Sequence, residues 1–152
     1  MLQWRGSVLL CSFSLINIYI ILGEAHAALG NNLLALTYYD KAIANTIKER
    51  GEDWVGLYDY LYRGLLKMKM GDVESALKDF DNEIKVYSTL ADPYYWKGMI
   101  YLELGMNAEA KGQLATALEL INGKGIKHKD PYAEVQNEIY VSDVEEAISK
   151  LK

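Results

Sequence analysis

A chain of 152 residues, 51% apolar and 24% charged, holds one domain with a substantial core and is short for two. Its net charge of −5 and scattered lysines and arginines argue against nucleic acid as a partner, since neutralising phosphates takes clustered basic residues. One cysteine, Cys11, leaves no intramolecular disulfide and suits a reducing compartment, and only two prolines point to helices over a loop-rich or β protein.

The first feature in chain order is an apolar run, Val8 to Leu22, interrupted by Ser12, Ser14 and Asn17. It is shorter than the roughly 20 residues a membrane span needs. Ala25-His26-Ala27 follows it and has the small-residue form of a secretory cleavage site, although Arg5 alone is a thin positive region. A second pattern claims the same residues. Gly23, Gly30 and Ala35 are spaced by seven and then five, and Gly64, Gly71, Ala76 and Gly98, Gly105, Ala110 repeat that spacing. The second and third sets lie 34 residues apart and the first and second 41. Each copy predicts a helix of about 14 residues, a turn at its second glycine, and a second helix with apolar residues at helical spacing, such as Ala76, Leu77, Phe80 and Ile84. Asn31, Asp72 and Asn107 are placed to open the second helices. The inner glycine and the alanine twelve residues on let the two helices approach closely.

The repeats are expected at about 16–49, 57–90 and 91–124, with a loop insertion at 50–56. Trp54 in that loop either plugs the repeat against its own domain, the commoner fate of a lone loop aromatic, or serves as a contact residue. The glycine- and lysine-rich stretch 122–131, with Lys124, Lys127 and Lys129, reads as a solvated connector. Asp130-Pro131 then has the form of a helix start, and Ser142 to Glu145 that of a capping box ahead of a last helix, Asp143 to Leu151. Residues 130–152 are expected to cap the stack, with Glu145, Glu146, Lys150 and Lys152 as its polar outer face. Residues 1–15 are compatible with the second helix of a truncated preceding unit, so the chain is also readable as a fragment of a longer protein.

This frame resembles the tetratricopeptide repeat, a 34-residue helix–turn–helix unit. The residues that carry the resemblance are Tyr19, Leu22, Gly23, Tyr39 and Ala42 in the first copy, Tyr60, Gly64 and Phe80 in the second, and Tyr94, Gly98, Tyr101 and Ala117 in the third. Arg63 and Lys97 depart from the family's leucine before the glycine, His26 and Lys67 from its tyrosine, and Leu114 from an aromatic. The resemblance implies an all-α solenoid of about three repeats with a C-terminal capping helix.

It also implies a concave groove lined by the first helices of successive repeats. Carried onto this chain, those positions are Asn17, Ile20, Glu24, Ala27 and Ala28; Tyr58, Leu61, Leu65, Met68 and Lys69; and Asp92, Tyr95, Met99, Leu102 and Glu103. Such a surface suits a peptide or an apolar helix of a partner protein, the methionines giving adaptable contacts. The chain's own tail or a second copy is an equal claimant for it, since open apolar patches are uncommon on monomers. Members that grip a C-terminal carboxylate do so with basic groove residues; here the matching places hold Ile20, Glu24, Tyr62, Glu103 and Asn107, so that mode is not expected.

Nothing in the sequence assembles a catalyst. His26 and His128 have no metal-ligand spacing, Cys11 lacks an activating neighbour, and the glycines follow the repeat rather than a phosphate loop. His26 falls where a core histidine is expected, and Asp79, Asp81 and Glu83 read as a solvated helix face. The sequence therefore predicts a cytoplasmic, non-catalytic protein-interaction scaffold without cofactor, metal, nucleic acid or membrane span. The alternatives are a self-associating assembly subunit, the repeat part of a larger protein whose catalytic part is absent, and, if residues 1–27 are a signal peptide, an exported protein.

Overall fold

The computed structural model describes residues 18–125 and 139–151. Among them every regular element is helical, which is the all-α class predicted. Cys11, Asn17, Lys127, His128, Lys129, the helix start at Asp130-Pro131 and Lys152 lie outside the described residues. Two compact units divide the chain, one ending at Asp79 and the other beginning at Phe80.

The first unit contains a helix through residues 18–28 (α1), α2 (Asn32–Arg50), a 3₁₀ turn (Glu52–Trp54), α3 (Asp59–Lys69) and the first half of α4 (Val73–Val86). The second contains the rest of α4, α5 (Asp92–Glu103), α6 (Asn107–Glu119), a π-helical turn (Leu120–Lys124) and α7 (Val141–Ser149).

The turn inside each hairpin is built the same way three times. Gly30, Gly71 and Gly105 take φ of 78°, 85° and 74°, the left-handed region that residues with a side chain rarely adopt. The next backbone N–H reaches back to a carbonyl five residues earlier: Asn31 to His26, Asp72 to Lys67 and Met106 to Tyr101, at 2.9, 2.9 and 2.8 Å. That bond satisfies a carbonyl the helix end would leave orphaned. The helix openings vary more. Asp72 accepts the Ser75 N–H at 3.2 Å and caps α4 as expected. Asn31 makes no such bond; its side chain lies 3.4 Å from the His26 ring.

Behind the turns, the small residues do the packing assigned to them. Ala35, Ala76 and Ala110 are fully buried. A Cβ on Gly23 would stand 2.9 Å from the Tyr39 ring, and one on Gly98 would stand 2.7 Å from Leu114 Cγ and 3.5 Å from the Ala110 carbonyl oxygen. Ala35, Tyr39 and Leu66 form a buried cluster joining α2 and α3, with Ile20, Ala27 and Tyr62 packed against it.

Four expectations need correcting. Arg50 belongs to α2 rather than to a loop, and the 3₁₀ turn takes up much of the rest of the insertion. Trp54 is 66% exposed under the Arg50 guanidinium, while Val55 is fully buried and serves as the plug. Helix α7 begins at Val141, two residues early, because Asp143 accepts the backbone N–H of Tyr140 at 2.8 Å, so Tyr140 and not Ser142 stands at the cap. His26 is only half-buried and stacks on Tyr38 with ring centroids 5.4 Å apart.

Gly98→Ala is expected to lower stability by about 1–3 kcal/mol, because the buried Leu114 has nowhere to retreat. Urea denaturation measures this. Combining Gly98→Ala with Leu114→Ala should cost less than the sum of the two changes.

Candidate functional site

The first helix of each hairpin carries the predicted groove residues, and the structure sorts them. In the first unit Ile20, Glu24, Tyr58, Leu65 and Met68 are half-buried and Lys69 is exposed. Leu61 is 1% exposed and belongs to the core, so it offers a partner no surface. In the second unit Glu103 is exposed, whereas Tyr95, Met99 and Leu102 pack against a buried cluster of Leu114 and Ala117 from α6 with Val144 and Ala147 from α7. A helix of the chain's own tail thus lies against the groove residues of α5. Its other side turns Glu145, Glu146 and Lys150 to solvent. Burial raises the pKa of the Tyr95 hydroxyl, helped by Asp143 and Glu146 and opposed by Lys150. Among the remaining positions Ala27 is half-buried, Ala28 is exposed and Asp92 is buried.

Tyr58 stands just before α3 at φ 79°, the only described non-glycine residue with positive φ, and stacks on Tyr62 at 5.8 Å between centroids. Such a conformation costs of order 1–3 kcal/mol and persists only where its surroundings hold it. The next residue shows what holds it. Asp59 is buried and accepts the Gly56 N–H at 3.0 Å, closing the insertion onto the start of α3.

Two carboxylates and two phenols interact in this region. Burial pushes the Asp59 carboxyl up to about 6; the Gly56 hydrogen bond pulls it down and the Glu24 charge pushes it further up. Burial also raises Glu24. The Tyr39 hydroxyl rises through burial first and then through Glu24, Tyr62 and Asp59.

Asp79 is handled differently. It is 1% exposed, not solvated as expected, and its two oxygens receive Arg63 Nη2 at 2.6 Å, Arg63 Nε at 2.9 Å and Lys67 Nζ at 2.8 Å. Arg63 Nη1 also reaches Asp40 on α2 at 2.8 Å. Burial works to lower the Arg63 guanidinium, and Asp79 and Asp40 together reverse this, so its net shift is upward. Glu83 is likewise buried, and Asp81 is exposed and paired with Lys97. Sequence reasoning missed this set. The available signal was the set of departures from the repeat pattern: Arg63, Lys67 and Lys97 stand at apolar family positions, and each meets a carboxylate of α4.

Among the described residues no group of three or more His, Cys, Asp or Glu side chains comes together to hold a metal ion, and no helix is long and apolar enough to cross a membrane.

These hairpins, with a repeated turn and a small-residue seam, define an all-α helical-repeat protein. The family model of the tetratricopeptide repeat matches residues 16–45 and 91–123, the first and third copies, and supports a relationship to that family. No curated protein matches the chain. Tetratricopeptide repeats are in general protein–protein interaction modules.

The raised Asp59 pKa fixes the sign of a pH effect. Between its unfolded value near 4 and its folded value of about 6 the native chain binds the proton more tightly. Stability therefore falls as pH rises through this window, by about 2–3 kcal/mol in all. Asp59→Asn keeps an acceptor for Gly56 and should remove that slope while raising Tm at pH 7.5. Thermal melts of both proteins from pH 4 to 8 check this, and parallel pH profiles would refute it.

Proposed function

We propose that the protein is a non-catalytic scaffold that binds a peptide or an amphipathic helix of a partner protein through the first helices of its repeats. The observation that carries this reading is the seating of α7. Val144 and Ala147 complete a cluster on which Tyr95, Met99 and Leu102 pack, so these positions accept an amphipathic helix. One repeat earlier the same register positions hold Leu61, Leu65 and Met68. Leu61 is core, and Leu65 and Met68 are half-buried side chains of the kind α7 meets. The partner in this account lies along α1 and α3, against Ile20, Leu65 and Met68, with Glu24, Tyr58 and Lys69 as polar contacts. Tyr58 supplies a rigid aromatic contact and Met68 an adaptable thioether. Tyr95, Met99 and Leu102 are engaged by the tail, and Glu103 stays at the edge.

The expected site of action is the cytoplasm. The reading rests on α1, which packs Gly23 against Tyr39 and Ile20 and Ala27 onto the α2–α3 cluster. Cleavage after Ala27 would remove these contacts.

A photo-cross-linking residue at position 65 should capture a discrete partner from cells, and the same residue at exposed Lys48 should not. Leu65→Asp/Met68→Asp should abolish capture by a cross-linker placed at position 20 while circular dichroism stays helical. Capture that is indifferent to this pair of changes rules the surface out.

A further inference from the structure

The acids of the first unit fall into two kinds. Asp79 draws three cationic nitrogens from Arg63 and Lys67. Asp59 is also buried, yet it accepts a backbone N–H from Gly56, and among the described residues neither Asp59 nor half-buried Glu24 has an ion-pair partner. Packing brings these two acids to one place. The Tyr39 ring lies against Gly23, where a Cβ would stand 2.9 Å away, so α2 meets α1 beside Glu24. Asp59 opens α3 close by. After burial, Glu24 is the charge that raises the Asp59 carboxyl, and Glu24, Tyr62 and Asp59 raise the Tyr39 hydroxyl. The field at this point of the groove therefore has one sign. Arg63 and Lys67 are committed to α4. Lys69 stands ten residues beyond Asp59, about 15 Å along α3 and farther than the screening length of about 8 Å in physiological salt.

The second unit shows what meets such a position. Counted by the repeat, Glu24 corresponds to Leu65 and to Met99. Met99 packs on the cluster to which α7 contributes Val144 and Ala147. Four residues before these positions stand Ile20, Leu61 and Tyr95, and three residues after them Ala27, Met68 and Leu102. Glu24 is thus the one charge in a set of positions that otherwise makes apolar or aromatic contacts. A helix seated on α1 and α3 as α7 is seated on α5 brings a side chain over it. An apolar side chain there would strip water from a carboxylate and return nothing, which is costly. A lysine or arginine replaces that water with a charged donor and lays its apolar stem on Leu65 and Met68.

We propose that the segment bound by the α1–α3 groove is basic as well as amphipathic, with one lysine or arginine among its apolar residues that pairs with Glu24 on the side facing Asp59. This rests on the groove reading given above and adds the partner's charge to it. The same field rejects a segment with an acid at that place, so Glu24 sets specificity as well as affinity.

The test selects phage-displayed random dodecapeptides on the purified full chain and on three variants. The wild-type chain should enrich peptides with a lysine or arginine flanked by apolar residues, and Leu65→Asp/Met68→Asp should lose them. Glu24→Lys should enrich aspartate or glutamate at the place of the basic residue. Glu49→Lys, the same charge change on an exposed part of α2, should select as the wild type does. Glu24→Gln, which keeps the shape of the side chain, should weaken a synthetic copy of the enriched peptide about fivefold, the worth of a partly exposed ion pair. Groove-dependent peptides without a basic residue overturn the charge assignment and leave the groove reading standing. Peptides indifferent to Leu65→Asp/Met68→Asp, or no enriched peptide at all, overturn both. A shift with Glu49→Lys equal to that with Glu24→Lys also overturns the assignment, since net charge alone would then account for the selection.

Discussion

The carboxylate of Asp79 lies almost wholly out of water, and the first unit is arranged around compensating it. Removing one carboxylate from solvent carries a penalty of several kcal/mol, which a single cation in mediocre geometry does not offset. Arg63 presents two nitrogens to it and Lys67 a third, and Arg63 uses its remaining arm on Asp40. Arg63 and Lys67 are four residues apart, one above the other on α3. Only one rotation of α3 about its axis brings both to Asp79, and the same rotation turns Leu66 onto Ala35 and Tyr39. The ion network and the apolar cluster therefore specify the same arrangement of α2, α3 and α4. Its value lies in that specificity, since buried ion pairs add little net stability over apolar substitutes.

The second unit relies on shape. Leu114 fills the space that the missing side chain of Gly98 leaves, and α7 adds Val144 and Ala147 to the same cluster. The Lys97 ammonium there pairs with exposed Asp81. The groove residues of α5 are stabilised by a helix from the chain itself, and those of α1 and α3 carry the strained Tyr58 and the carboxylates Glu24 and Asp59.

The repeat was legible because its marks are periodic and sterically unforgiving. Gly30, Gly71 and Gly105 must take positive φ, and Ala35, Ala76 and Ala110 must be small, so their spacing survives in the letters. What depended on pairing was not legible. Asp79 looks like a solvent-facing acid until Arg63 and Lys67 are read as its complement. Trp54 looked like the better plug because it is large, yet the neighbouring Val55 is the residue turned inward. The helix start at Val141 came from a side chain reaching back to Tyr140, a contact that no composition rule picks out. Among the site residues, Leu61 failed because a groove position and a core position differ by a small rotation, and sequence spacing does not resolve that angle.

The most direct test of this account is a double-mutant cycle on Arg63→Ala and Asp79→Ala, measured by urea denaturation at neutral pH. If the pair organises the first unit, each single change strands a buried charge, and the double change costs less than the sum by about 1–3 kcal/mol. Strict additivity of the two losses would contradict the account, because it would mean that α3 and α4 are held in place without this contact.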